Sequence, residues 1–159
     1  MMELSANEIA TLFLKAARGG SVPLGYCEDL AAAAAYLDLD ALTRCPILDS
    51  AAVNLPTALD LVLAGRGPRE VVTEDAMIKA YVALYETRLA KTVHWQANET
   101  GAVFEKFHHA LPVAHAPLGR RAMPSELMKH LEGLAGKTLV PETETSRAGG
   151  AGAGLTDND

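Results

Sequence analysis

The chain has 159 residues, of which 49% are hydrophobic and 21% charged, and it carries a formal net charge of −6. One domain of this length buries about two thirds of its extended surface, so a real core is expected, built mainly from Leu, Val and Ala because aromatics are only 5%. The acidic balance speaks against nucleic acid or an anionic membrane as partner, since both need a basic face to displace counterions, and no apolar run approaches a membrane span.

The opening Met1-Met2-Glu3-Leu4-Ser5 lacks the basic and then apolar pattern of a secretory signal, so a cytoplasmic protein is expected. Ser5 and Glu8 have the spacing of a capping box, Leu4 and Ile9 that of a hydrophobic staple, and Gly19-Gly20 follow Lys15 and Arg18 as a stop. This predicts a first helix burying Ile9, Leu12, Phe13 and Ala16. A second helix is expected from Gly25 to Leu37, with Glu28 and Asp29 in its first turn and Tyr26, Leu30, Ala34 and Leu37 at helical spacing, completing a helical hairpin. Residues Asp38 to Pro56 have a mixed pattern and no assignment.

Ala58 to Ala64 reads as a strand with Leu59, Leu61 and Leu63 on one face, or as a short helix, the strand being favoured. Thr73, ahead of Glu74 and Asp75, predicts a third helix with Met77, Tyr81, Leu84 and Tyr85 on one side. A hairpin follows, Thr92 to Ala97 and Ala102 to His108, joined by Asn98-Glu99-Thr100-Gly101 as a type I turn with a bulge at the glycine. In that register Val93, Trp95, Ala97, Val103 and Phe107 face the core, and Thr92, His94, Gln96, Phe104, Lys106 and His108 face outward.

Ala110 to Pro124 holds three prolines and reads as an irregular surface connection. A last helix from Ser125 to about Leu134 is expected to bury Leu127, Leu131 and Leu134 and to end at Gly136, followed by a short strand Lys137 to Val140. The expectation is an α+β domain over residues 1–145: an N-terminal helical hairpin and further helices packed on a small, mostly antiparallel sheet. The remaining tail, Ser146 to Asp159, is rich in Gly and Ala and ends in Asp157 and Asp159. Glycine loses the most backbone freedom on ordering, so an ordered tail needs specific contacts, with the domain itself or with a partner subunit.

The candidate chemistry is sparse. His94, His108, His109 and His115 fall on or near the hairpin and could meet a phosphate or a metal together with Glu105 or Asp157, but no tight ligand spacing such as HxH or HExxH occurs, and no metal site is assigned. Arg120-Arg121 could grip a carboxylate or phosphate, or pair with the acidic chain end, and Arg147 could join them. The candidate ligand-binding set is therefore Arg120, Arg121, Arg147, His94, His108, Asp157 and Asp159, with no cofactor indicated. The tail glycines do not form a phosphate loop, because no Lys-Ser/Thr and no helix follow them. Cys27 and Cys45 lack zinc or disulfide spacing and read as buried or half-buried thiols, Cys27 being an unpromising nucleophile beside Glu28 and Asp29.

The opening Leu4-Ser5-Ala6-Asn7-Glu8-Ile9, the following Lys15-Ala16-Ala17-Arg18-Gly19 with Gly25, and the ending from Val140-Pro141 through Ser146-Arg147 to Asp159 resemble the bacterial domain-of-unknown-function family 3726. The resemblance is specific at both ends and loose between them. It implies a cytoplasmic bacterial protein and carries over no catalytic residue. Two readings follow. The first is a non-catalytic binding or accessory protein, possible as a homodimer, whose tail docks on its own domain or a partner. The second is a small-metabolite enzyme or sensor holding an anionic ligand near the tail, the arginines and the hairpin histidines.

Overall fold

The computed structural model describes residues 2–90, 92–106 and 114–138. Five α-helices and two small antiparallel sheets among them make an α+β fold. The elements are β1 (Glu3–Leu4), α1 (Ala6–Gly19), α2 (Leu24–Ala33), α3 (Ala51–Leu63), β2 (Arg69–Val72), α4 (Asp75–Leu89), β3 (Val93–Ala97), β4 (Gly101–Lys106), β5 (Arg121–Ala122) and α5 (Ser125–Ala135). Short 3-10 turns at Ala34–Tyr36 and Gly136–Thr138 extend α2 and α5.

Helix α1 begins as its sequence dictates. The Ser5 hydroxyl accepts the Glu8 N–H at 3.3 Å, and the Glu8 carboxylate accepts the Ser5 N–H at 2.7 Å, so each end of the box satisfies an orphan donor. Ile9, Phe13, Ala16 and Ala17 are buried, and Leu12 packs at the margin. The helix ends in a Schellman motif in which Ser21, not a glycine, takes the left-handed step at φ 61°, while Ser21 N–H donates to Arg18 O and Val22 N–H to Ala17 O. Gly19 serves space instead: a Cβ there would lie 1.8 Å from the Leu134 carbonyl oxygen, where α1 crosses α5.

Helices α1 and α2 form the expected hairpin. Helix α2 stops at Ala33 and tightens into the 3-10 turn, with Leu30, Ala34 and Leu37 buried as their spacing predicts. Residues 38–50 run irregularly but still send Leu39, Cys45 and Ile47 into the core.

The strand expected at Ala58 to Ala64 is a helix. Helix α3 starts at Ala51 and continues through Pro56, burying Ala52, Leu55, Leu59 and Val62, a three-to-four residue period, whereas Leu61 and Leu63 are only half-buried. The Pro56 ring removes one N–H, but the helix is held by packing on α2, α4 and the sheet, which outweighs one lost bond.

Helix α4 lies at the centre, against α2, α3, the 3-10 turn, β3 and β4. From Ala76 to Glu86 every residue except Lys79 is buried. Its cap is Glu74, not Thr73; Thr73 is buried and donates its N–H to Thr100 O at 3.0 Å, which lengthens the contact between β2 and the hairpin.

The three-stranded sheet has the order β2-β4-β3. Trp95 opposes Phe104 and Ala97 opposes Ala102, so Phe104 and Ala102 join Val93 and Trp95 on the core-directed face while Val103 sits with Gln96 on the other. The expected bulge is absent and the second strand is turned over, because Gly101 does not adopt a left-handed φ. The Asn98 side chain closes the turn by accepting the Thr100 and Gly101 N–H groups at 3.0 and 2.7 Å. Glycine is required at 101 for another reason: β2 runs alongside, and a Cβ there would lie 1.9 Å from the Val71 carbonyl oxygen. Phe107 and His108 lie outside the described residues.

The second sheet joins β1 to β5, Leu4 opposite Arg121. Helix α5 buries Leu127, Leu131 and Leu134 as expected. Of the strand expected at Lys137 to Val140, Lys137 and Thr138 belong instead to the 3-10 turn, which continues the helical winding of α5, and Leu139 and Val140 lie outside the described residues. Among the described residues no helix is long and apolar enough to cross a membrane.

Candidate functional site

Two adjoining hollows lie along α4 and share Tyr36, Lys79 and Leu118. The upper one, about 400 Å³, has Val82, Ala83 and Glu86 of α4 as its floor and Trp95 and His115 among its walls. The lower one, about 610 Å³, adds Asp38, Asp75 and Arg121. Positions 75/76, 79, 82/83 and 86 fall on one face of the helix at three-to-four residue spacing, so a single stripe of α4 floors both. The volumes fall in the range of small-ligand sites, and apolar walls with a few converging polar groups match their usual chemistry.

The upper hollow is organised by Glu86. Its side chain is only 8% exposed, yet it is satisfied on both oxygens: Oε1 accepts the Val93 N–H at 3.1 Å and Oε2 lies 2.7 Å from His115 Nε2. An ionised carboxylate accepts both bonds, which places the imidazole proton on Nε2 and the lone pair of the neutral ring on Nδ1. The His115 backbone is tied as well, its N–H donating to Thr87 Oγ1 at 2.9 Å, and Leu118 N–H donates to Ala35 O at 2.9 Å. These bonds lay residues 115–118 along the groove and orient the histidine.

Lys79 is the cation common to both hollows. It pairs with Asp75 at 2.5 Å, but both side chains are more than half exposed and the pair is of the i,i+4 kind, worth only about 0.3–0.5 kcal/mol. Such a pair is readily exchanged for a better carboxylate.

The structure separates the arginine pair. Arg120 donates to Glu3 O at 2.8 Å and lies 4.0 Å from the Glu8 carboxylate, on the α1 side. Arg121 turns to the end of α2, donating to Ala34 O at 3.1 Å and to Leu37 O, so it adds a charged donor to carbonyls at a helix terminus. Burial holds its pKa below the ordinary arginine value. Arg121 reaches the lower hollow, while Arg120 lines neither.

His94 alternates with Trp95 along β3 and therefore sits on the opposite face of the sheet, across from Glu105 and away from the groove. Of the histidines near the hairpin, His115 lies in the groove. His108, His109, Arg147, Asp157 and Asp159 lie outside the described residues, as does the whole tail. Among the described residues no three His, Cys, Asp or Glu side chains converge as a metal site. Cys27 and Cys45 are buried; Cys27 donates to Val22 O at 3.0 Å, and burial pushes its thiol pKa up, away from nucleophilic use.

Glu86, Lys79, Tyr36 and Trp95 were not among the sequence candidates. Glu86 carries the one usable signal, an acid directly after Val82-Ala83-Leu84-Tyr85 on a helix with no fully polar side. The others are unremarkable until the fold brings three separate segments onto α4. Compared with protein-family models, curated proteins and solved structures, the chain matches none.

Proposed function

We propose that the chain is a cytoplasmic, non-catalytic binding or accessory protein that seats a small metabolite in the groove along α4. The observation that carries this reading is the pair of adjoining hollows floored by one stripe of the central helix and sharing Tyr36, Lys79 and Leu118. A central helix whose surroundings are otherwise packed gives a pre-formed floor, and a pre-formed floor lowers the ordering cost of binding. A cytoplasmic bacterial setting and a homodimer with a docked 146–159 tail also belong to the proposal, supported by the resemblance at the chain ends and by the tail composition.

The test is a fragment screen followed in a 1H–15N spectrum of the full chain. Saturable shifts gathered at Tyr36, Ala83, Trp95 and Leu118 are expected. Shifts absent there for every fragment, or scattered elsewhere, would overturn the reading. For the tail, a chain ending at Thr145 is expected to lose assembly or melt earlier; unchanged mass and melting would remove that part.

The Glu86–His115 contact favours a second reading, a small-metabolite enzyme or sensor. A carboxylate-oriented imidazole can accept a proton at Nδ1 from a bound molecule. Proton exchange at the α-carbon of groove-binding fragments in D2O, lost in His115→Phe, would establish it.

A further inference from the structure

Resting on the groove reading above, the geometry points to a ligand class: we propose that the upper hollow takes a small, flat aromatic carboxylate. Three observations converge. The apolar part of the floor is Val82 and Ala83, beside Glu86, and the walls include two aromatic residues, Tyr36 from the 3-10 turn and Trp95 from β3. A low floor bordered by aromatic side chains suits a planar ring, which gains from offset or edge-to-face contact as well as from area.

The charge pattern selects the sign. Glu86 is occupied by Val93 N–H and His115, so it offers little to an incoming cation. Lys79 opens on the same hollow and among the described residues is held only by an exposed partner on the preceding turn, so its ammonium is placed to receive a carboxylate. An inorganic anion would satisfy Lys79 but leave the apolar walls unused, and a saturated chain would leave the aromatic ones without their preferred contact.

Trp95 is the only tryptophan, so its indole N–H resonance reports on this hollow alone. The full chain is titrated separately with benzoate, cyclohexanecarboxylate, benzyl alcohol and benzylamine, following that resonance. Benzoate is expected to shift it saturably, with benzyl alcohol weaker by about tenfold, the effect of losing one charge-assisted contact. Lys79→Met is expected to weaken benzoate by the same factor; because Lys79 is exposed, unchanged melting will show that the variant still folds. Equal response to cyclohexanecarboxylate overturns the aromatic class, and a stronger response to benzylamine overturns the sign; both leave the groove itself standing. No response to any of the four overturns this proposal, and the fragment screen then decides separately whether the groove binds at all.

Discussion

Glu86 Oε2 and His115 Nε2 lie 2.7 Å apart, joining a buried carboxylate of the central helix to the segment that borders its groove. The same carboxylate accepts the first N–H of β3, so one side chain couples helix, hairpin and groove wall. Glu86→Ala leaves the buried Val93 N–H unsatisfied and His115 without its partner, and is expected to destabilise by about 1–3 kcal/mol in urea unfolding. Glu86→Gln keeps an acceptor for Val93 and is expected to cost less. Equal losses for the two variants would mean that the hydrogen bonds are not what matters.

Tyr81 and Tyr85 lie one turn apart on α4, and their hydroxyls have opposite fates. Tyr81 is fully buried and its hydroxyl finds no hydrogen-bond partner among the described residues. The Tyr85 hydroxyl donates to Asp60 Oδ1 at 3.0 Å and lies 3.3 Å from Pro56 O. Burial raises the pKa of both. Tyr81→Phe is expected to be neutral or stabilising by up to about 1–2 kcal/mol, and Tyr85→Phe to lose about 0.5–1.5 kcal/mol, both read as shifts in the urea midpoint.

Two glycines make a matched pair. Gly101→Ala, in the middle strand β4, forces a methyl against the Val71 carbonyl of β2 and is expected to cost about 1–3 kcal/mol or more. Gly133 sits in α5 with nothing within 4 Å of its would-be Cβ. Gly133→Ala is therefore expected to stabilise by about 0.5–1 kcal/mol through helix propensity. Thermal melts of the two variants should move in opposite directions.

The Glu8 carboxyl is held below its ordinary value of 4.5, first by the Ser5 N–H and then by the Ser5 hydroxyl. A depressed folded pKa contributes stability that is present above the unfolded value and is lost as pH falls through the folded one. The capping box is thus expected to weaken below about pH 4.5. In a carbon-13 titration, Ser5→Ala should move the Glu8 pKa upward; no movement would show that the box does not set it.

The first and last helices were legible because their signals are local. Ser5 with Glu8, and Leu127, Leu131 and Leu134 at helical spacing, act within one or two turns and need no distant partner. Residues 58–64 were misread because a short apolar run suits a buried helix as well as a strand, and Pro56 hid a helix that packing maintains. The hairpin was found, but its second strand was turned over, since Gly101 suggested a bulge and the structure uses it for the approach of β2.

The amino-acid sequence alone determined the α+β class, the helix termini at Ser5 and Gly136, and a core of small aliphatic residues, because these depend on periodicity and neighbouring chemistry. Tertiary structure alone decided that Glu86 meets His115, that Arg120 and Arg121 part to opposite sides, and that Tyr36, Lys79 and Trp95 border one groove. Those contacts join residues separated by tens of positions, and no periodicity encodes which segment will pack beside which. They follow from the way the apolar faces bury one another, and the polar side chains are carried along to wherever that packing leaves them.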